Sequence, residues 1–207
     1  MSVTPTQRVL YVIACGGPPA GDLPQFVAQA QGLDWDVCVI STPSGLKFID
    51  AAGLAEQTGH PVRSDYKQPD EPDVLPPADA FVVAPATFNT INKLAAGISD
   101  TLALGLLNEG LGGGKPIIAV PFPNQALARH PAFVANLAAL RSWGVELIFD
   151  PDPASLPEPV PSNPANPANP GDSGNQGSAL FPWTRLVDAL SQLGSNRVAS
   201  PADRMRG

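Results

Sequence analysis

The chain has 207 residues, of which 43 % are hydrophobic and 15 % are charged, so its length and composition fit one globular domain with a substantial core. Its formal net charge is −7, and its 12 Lys and Arg residues are scattered along the sequence. Because phosphate binding needs clustered cations, this acidic balance excludes nucleic acid as the main partner.

The cysteine pattern and the apolar runs indicate the cellular compartment. Cys15 and Cys38, the only two cysteines, each lie within an apolar run and are predicted to be small buried side chains. They form neither a metal-ligand spacing nor a disulfide framework, which favours the cytoplasm. The apolar run 9–15 is too short to span a membrane and is not followed by a signal-peptide cleavage pattern. We therefore expect a soluble, cytoplasmic protein with no metal site.

Apolar runs alternate with helical patterns over the first 150 residues. The runs predict strands at residues 9–15, 35–41, 80–84, 116–121 and 145–149. Helices are predicted at residues 22–31, 45–56, 100–110 and 132–144, with a further helix inside residues 84–102. This alternation predicts a single-domain α/β fold, Rossmann-like or flavodoxin-like, with a doubly wound parallel sheet between two layers of helices.

The remainder of the chain has a different composition. Residues 151–178 contain the repeat NPANPANP and are predicted to form a flexible Pro/Asn-rich loop. Residues 179–194 recover helical periodicity and should pack on the α/β core of residues 1–150. Residues 195–207 are predicted to be a disordered tail.

Polar or small residues follow three of the predicted strands. Gly16-Gly17 follows the first, Thr42 and Ser44 follow the second, and Asn89 follows the third. Open parallel sheets bind ligands at the carboxyl ends of their strands, and helix starts there favour anionic groups. A simpler alternative is that these residues only form turns and helix caps. The glycines do not complete a G-x-G-x-x-G pattern, so the signal for a dinucleotide is poor.

Residues 84–102, APATFNTINKLAAGISDTL, carry the most specific motif in the chain. They resemble the PASANS-type signature and following helix of the homo-oligomeric flavin-containing cysteine decarboxylases, with matches at Pro85, Asn89, Lys93, Gly97 and Asp100. This family includes phosphopantothenoylcysteine decarboxylase and the lantibiotic-type peptidyl-cysteine decarboxylases. The resemblance covers about residues 8–150.

A second signature of that family, P-x-M-N-x-x-M-W followed by N-P, is matched only in part. Pro121, Asn124 and Pro131 match it. Leu127-Ala128 replaces the Met-Trp pair, and Pro123 replaces the Met before the Asn. The chain is thus a divergent member by this criterion.

The resemblance implies a cofactor and an assembly. It implies that FMN binds where the subunits of a homotrimer, or of a multiple of trimers, meet. The residues that it places at FMN are Gly16, Gly17, Thr42, Ser44, Phe48, Ala86, Thr87, Asn89 and Thr90. Hydroxyls and backbone amides at strand ends can hold a phosphate, and an Asn side chain can pair with the flavin ring.

The resemblance is weaker for catalysis. The position that matches the family's active-site His holds Glu71, and the nearest histidine along the chain is His60. Asn124 would orient the substrate carboxylate, while His60 or Glu71 would be the base on the thiol side.

Three functions follow from these residues. The leading hypothesis is an FMN-dependent decarboxylase, a lyase, acting on a small-molecule or peptide thiol that resembles cysteine. The alternative is a non-catalytic flavin-binding regulatory or assembly subunit, because the usual His and Met-Trp pair are absent. A prenyl-FMN synthase is the third hypothesis, and residues 121–131 fit it less well.

Overall fold

One parallel sheet organises the computed structural model of the protein, which describes residues 7–68, 70–72, 74–158 and 179–195. Its strands are β1 (Arg8–Ala14), β2 (Trp35–Ser41), β3 (Ala80–Ala86), β4 (Ile117–Pro121) and β5 (Glu146–Leu147). They lie in the order β2-β1-β3-β4-β5, and every neighbouring pair is parallel. All seven residues of β3 are buried, as expected for a central strand that is covered on both faces.

Helices connect the strands and cover the sheet. They are α1 (Leu23–Gly32), α2 (Ala51–Thr58), α3 (Phe88–Ala95), α4 (Leu102–Gly112), α5 (Gln125–Ala128), α6 (Pro131–Ser142) and α7 (Trp183–Ser195). Short 3-10 helices occupy Pro18–Asp22, Gly45–Lys47 and Pro153–Ser155. No helix in the described ranges is both long and apolar enough to cross a bilayer.

Successive side chains of β1 alternate between two apolar clusters, because neighbouring strand residues face opposite sides of the sheet. Leu10 packs in a cluster that includes Phe26 of α1 and Leu186 of α7. Ile13 packs in the opposite cluster, which includes Leu107 of α4. Helices therefore lie on both faces, and the predicted doubly wound α/β fold is confirmed.

Several predicted boundaries shift for local physical reasons. The predicted helix 45–56 divides into a 3-10 turn and α2, because Asp50 caps α2 by accepting a hydrogen bond from the Gly53 N–H at 3.0 Å. The last helix begins at Trp183 rather than at residue 179, directly after Pro182, which suits a helix start. β5 is shorter than predicted because only two of its residues pair with β4. Residues 159–178 and 196–207, where most of the predicted loop and tail fall, lie outside the described ranges.

Both thiols are expected to resist alkylation in the native protein. Cys15 and Cys38 are fully buried, as predicted. Burial raises the pKa of Cys15, and burial together with the nearby charge of Asp36 raises the pKa of Cys38 to about 12. Because the thiolate is the reactive form, iodoacetamide at about pH 8 should modify neither thiol until the chain is unfolded. Mass spectrometry with and without guanidinium measures this, and fast native labelling of either thiol would contradict it.

Candidate functional site

The strand order places a topological switch point between β1 and β3. The chain leaves β1 toward β2 on one side, whereas β3 and β4 continue on the other side. Crevices outside the carboxyl ends of the strands at such a point are the usual ligand sites of open α/β sheets. The turns after β1, β2 and β3 therefore define the candidate site.

The turns after β1 and β2 pack tightly against each other. A Cβ atom at Gly16 would lie 3.2 Å from the Cβ of Ser44 and 3.4 Å from Cε2 of Phe48. The Thr42 N–H donates to the Ala14 carbonyl at 2.9 Å, which fixes the second turn to the end of β1. The structure thus brings together four residues that the resemblance placed at FMN. The Ser44 side chain is exposed, whereas Phe48 is half-buried.

Two supporting residues in this turn were missed by the sequence analysis. A Cβ at Gly45 would lie 2.3 Å from the Ala14 carbonyl oxygen and 2.6 Å from Oγ of Ser41. Ser41 is fully buried and donates from Oγ to the Thr42 carbonyl at 2.9 Å. A single polar residue at the end of an apolar strand, followed by a glycine four residues later, was the available signal.

The turn after β3 begins α3 and faces the turn after β1. Thr87 caps α3 by accepting from the Thr90 N–H at 3.2 Å, and the two hydroxyl oxygens are 2.9 Å apart. The buried Thr90 hydroxyl donates to Sγ of Cys15 at 3.3 Å. Thr90 therefore joins the end of β1 to the start of α3. Asn89, in the first turn of α3, is exposed and presents its amide to solvent.

The two remaining predicted contacts lie in the turns after β1 and β3, at the same switch point. Ala86 is fully buried at the end of β3, and its carbonyl accepts from the Phe122 N–H at 3.0 Å, so neither its backbone nor its methyl group is exposed. Gly17 has an extended backbone, with φ −175°. A Cβ there would lie 3.5 Å from Cγ of Pro85, which shows how closely the turns after β1 and β3 approach.

The Thr87 cap should contribute measurably to stability. Thr87→Val keeps the side-chain shape but removes the acceptor for the Thr90 N–H, so we expect the free energy of unfolding to fall by about 1 to 2 kcal/mol. Thr87→Ser keeps the acceptor and should stay within about 0.5 kcal/mol of the wild type. Urea titration followed by circular dichroism measures both, and equal losses for Val and Ser would refute the cap.

Asn124 lies at the same edge, beyond β4. The Phe122 N–H donates to the Ala86 carbonyl at 3.0 Å, so the segment that leaves β4 runs beside the end of β3. Asn124 then caps α5, with Oδ1 accepting from the Leu127 N–H at 3.0 Å. This leaves the amide NH₂ as the part of the side chain suited to bind an anion.

His60 lies near the amino ends of the strands, on the side of the sheet opposite to the candidate site. Its Nε2 is 2.7 Å from Oδ1 of Asp36, which pairs with Val9 near the start of both strands. Asp36 precedes Ser41 by five residues, or about 16 Å along a strand. The structure therefore does not bring His60 together with the predicted flavin contacts of its own chain, because Asp36 holds the ring at the amino edge.

Glu71 is engaged locally. It lies in the loop between α2 and β3, is exposed, and accepts from the Gln68 N–H through Oε2 at 3.0 Å. The carboxylate thus closes a turn within its own loop. Neither Glu71 nor His60 joins the cluster of residues at the switch point.

The family assignment rests on a match over most of the chain. The family model described as Flavoprotein matches residues 9–193. The chain belongs to the Flavoprotein family. The predicted family resemblance is therefore confirmed, and the turns at the switch point are the candidate flavin site of a family member.

Sequence relatives include bifunctional enzymes that are much longer than the match. The coenzyme A biosynthesis bifunctional protein CoaBC of Mycolicibacterium smegmatis is 30 % identical over 153 residues, which are 72 % of this chain and 35 % of that protein. A cysteine/cysteine sulfinic acid decarboxylase from an unknown prokaryotic organism is 35 % identical over 107 residues, covering 49 % of this chain and 29 % of that enzyme. The matched region thus spans about a third of these relatives.

Solved structures agree with the fold. The FMN-dependent cysteine decarboxylase TvaF from thioviridamide biosynthesis has a TM-score of 0.61 and 28 % identity, covering 68 % of this chain and 89 % of that one. HAL3 from Cryptococcus neoformans has a TM-score of 0.60 and 19 % identity, covering 91 % of this chain and 96 % of that one. At that identity, HAL3 supports the fold alone.

Proposed function

We propose that the protein is an FMN-dependent decarboxylase of a cysteine-like thiol. The observation that carries this proposal is the assembly of the turns after β1, β2 and β3 at one switch point of a Flavoprotein-family chain. The similarity to TvaF, an FMN-dependent cysteine decarboxylase, supports the cofactor and the reaction class. The substrate is a small molecule or a peptide C-terminus bearing a thiol.

The donors at the switch point fit FMN. Exposed Ser44 and the glycine backbone after β1 can approach a phosphate. The Thr42 hydroxyl accepts from the Gly45 N–H at 3.0 Å and so fixes the shape of the turn that holds Ser44. Asn89 offers both an amide donor and an acceptor for the flavin ring, at a helix start that favours negative charge. Thr90 supports the turn rather than contacting the ligand through its hydroxyl, because that hydroxyl is buried against Cys15.

The cofactor and Asn124 would have separate roles in the reaction. FMN, when bound, supplies the oxidising power that a thiol needs before its carboxylate can leave. Asn124 holds the substrate carboxylate through its amide NH₂, since its oxygen is already used in capping α5. Holding that group in one orientation lowers the entropic cost of the reaction.

Two residues are candidates for the base that accepts the proton from the substrate thiol. His60 is at the amino edge of its own sheet, so it would have to serve the site of a neighbouring protomer. Glu71 is exposed in the loop before β3 and could turn toward a substrate once its contact with the Gln68 N–H is broken.

Exposed apolar side chains on α5 and α6 support an oligomer. Leu127 on α5 is 37 % exposed, Val134 on α6 is 56 % exposed, and Trp143, which follows the last residue of α6, is 50 % exposed. Leu127 lies three residues after Asn124, and exposed apolar surface beside a binding site is typical of a protein contact. We propose a homotrimer, or a multiple of trimers, whose interface lies at this surface, in the cytoplasm.

The cofactor is tested by reconstitution. Protein purified and mixed with FMN should remain yellow after gel filtration, with the absorbance of oxidised flavin. A colourless protein that does not retain FMN would refute the flavin site. The same column, calibrated by light scattering, reports whether the species has the mass of a trimer.

The reaction is tested by mass spectrometry of peptides that end in cysteine. The expected product has lost carbon dioxide and two hydrogen atoms, and matched peptides that end in serine should be unchanged. FMN retention without any mass loss would contradict the enzyme. It would favour a non-catalytic flavin-binding subunit, which the engagement of His60 by Asp36 also favours.

A further inference from the structure

His130 lies at the candidate site, one short helix beyond Asn124. Its ring centroid is 5.5 Å from that of Phe88, edge-on at 80°. Phe88 is the first residue of α3 and directly precedes Asn89. The chain has two histidines, and the other, His60, lies at the opposite edge. His130 is therefore the histidine that the fold places beside the proposed flavin contacts.

The hydrogen bonds of His130 determine where its proton is. Nδ1 accepts from the Ala132 N–H at 3.2 Å and so caps the start of α6. A ring nitrogen that accepts a hydrogen bond does not carry a proton, so the neutral ring carries its proton on Nε2. The ring can therefore offer a donor to an anion, but it cannot act as a base through Nε2 while it keeps the cap.

We propose that the Nε2–H of His130 donates a hydrogen bond to the substrate sulfur as carbon dioxide leaves. The inference rests on the proposed function, in which oxidation of the thiol has already produced a thioaldehyde. When the bond to the carboxyl carbon breaks, its electron pair forms a carbon–carbon double bond. The carbon–sulfur π pair then moves to sulfur, which becomes an enethiolate.

Negative charge thus grows on sulfur during the step that breaks the carbon–carbon bond. A donor that is already in place at the atom gaining charge stabilises the transition state more than the ground state. The contact with Phe88 and the cap of α6 hold the ring in one orientation, so little reorganisation is needed. This assigns to His130 a role different from the proton acceptor sought at His60 or Glu71.

Three variants separate donation from capping. His130→Asp keeps a capping acceptor but has no donor, His130→Asn keeps both, and His130→Ala has neither. We expect kcat for cysteine-ending peptides to fall at least 100-fold in the Asp and Ala variants. The Asn variant should recover part of this rate, because its NH₂ keeps a donor but lies where Cδ2 of the ring lies rather than at Nε2. Thermal stability should fall only in the Ala variant. Equal kcat values for Asp and Asn would overturn the proposal.

A second measurement does not depend on turnover. In the FMN-loaded full chain with ¹⁵N-labelled histidine, NMR should show His130 protonated on Nε2, with the signal assigned by its loss in His130→Asn. Addition of 4-nitrothiophenolate, an ionised thiolate at neutral pH, should shift that proton downfield. A proton on Nδ1, or one unmoved by the thiolate, would overturn the inference. A shift in a protein that releases no carbon dioxide would instead refute the proposed reaction and leave the donor in place.

Discussion

Gly45→Ala should lower the free energy of unfolding by about 3 kcal/mol and greatly weaken FMN retention. The added Cβ would lie 2.3 Å from the Ala14 carbonyl oxygen, far inside van der Waals contact. That carbonyl cannot move freely, because it accepts from the Thr42 N–H at 2.9 Å at the end of β1. The turn after β2 would have to move away from β1, and Ser44 would move with it. Urea titration and flavin absorbance after gel filtration measure the two effects.

Gly112→Ala is the matched control for this substitution. Gly112 is the last residue of α4, and a Cβ there would have no heavy atom within 4 Å. Alanine in place of a helical glycine should leave stability unchanged or raise it by up to about 1 kcal/mol. If Gly45→Ala were as stable as this control and retained FMN equally well, the turn after β2 would not be packed tightly against the end of β1.

Asn124→Asp should reduce carbon dioxide release by about 100-fold to 1000-fold while the protein remains folded and yellow. Aspartate can still accept from the Leu127 N–H, so α5 keeps its cap. The substitution removes the amide donor and places a negative charge where the substrate carboxylate would bind. Initial rates with cysteine-ending peptides, at matched FMN occupancy, measure the loss.

Asn124→Ala provides the comparison that separates capping from binding. It removes both the cap and the donor, so stability should fall by about 1 kcal/mol in addition to the loss of rate. Activity in Asn124→Asp close to that of the wild type would show that the residue serves α5 alone. If Asn124 binds the carboxylate, both variants lose rate but only Asn124→Ala loses stability. If Asn124 serves α5 alone, only Asn124→Ala loses rate and stability.

The sheet could be predicted from the sequence because parallel strands that are buried on both faces appear as continuous apolar runs. Residues 35–41 were predicted as a strand and form β2 with the same limits. The edge strand β5 (Glu146–Leu147) is a different case, because its pairing depends on how far β4 extends beside it. The one-turn helix α5 was not predicted, since four residues carry too little periodicity.

The part of the site that could be predicted consists of residues that directly follow the strands. Polar residues that follow buried strands converge at one edge by topology alone, which holds for Thr42 and Thr87. Side-chain partners distant in sequence were not predictable. His60 meets Asp36 because α2 returns the chain to the start of β2. His130 meets Phe88 because α6 packs on α3, and no local pattern encodes that contact.

The position of β1 between β2 and β3 has a consequence for how the protein folds during synthesis. Leu10 pairs with Val37, 27 residues away, and with Ala80, 70 residues away. During synthesis and refolding, one side of this apolar strand must therefore wait for β3, the slower of its two partners to arrive. An unpaired apolar strand edge is a template for pairing with other chains. The interval before β3 docks is thus the stage at which nascent copies are most exposed to aggregation.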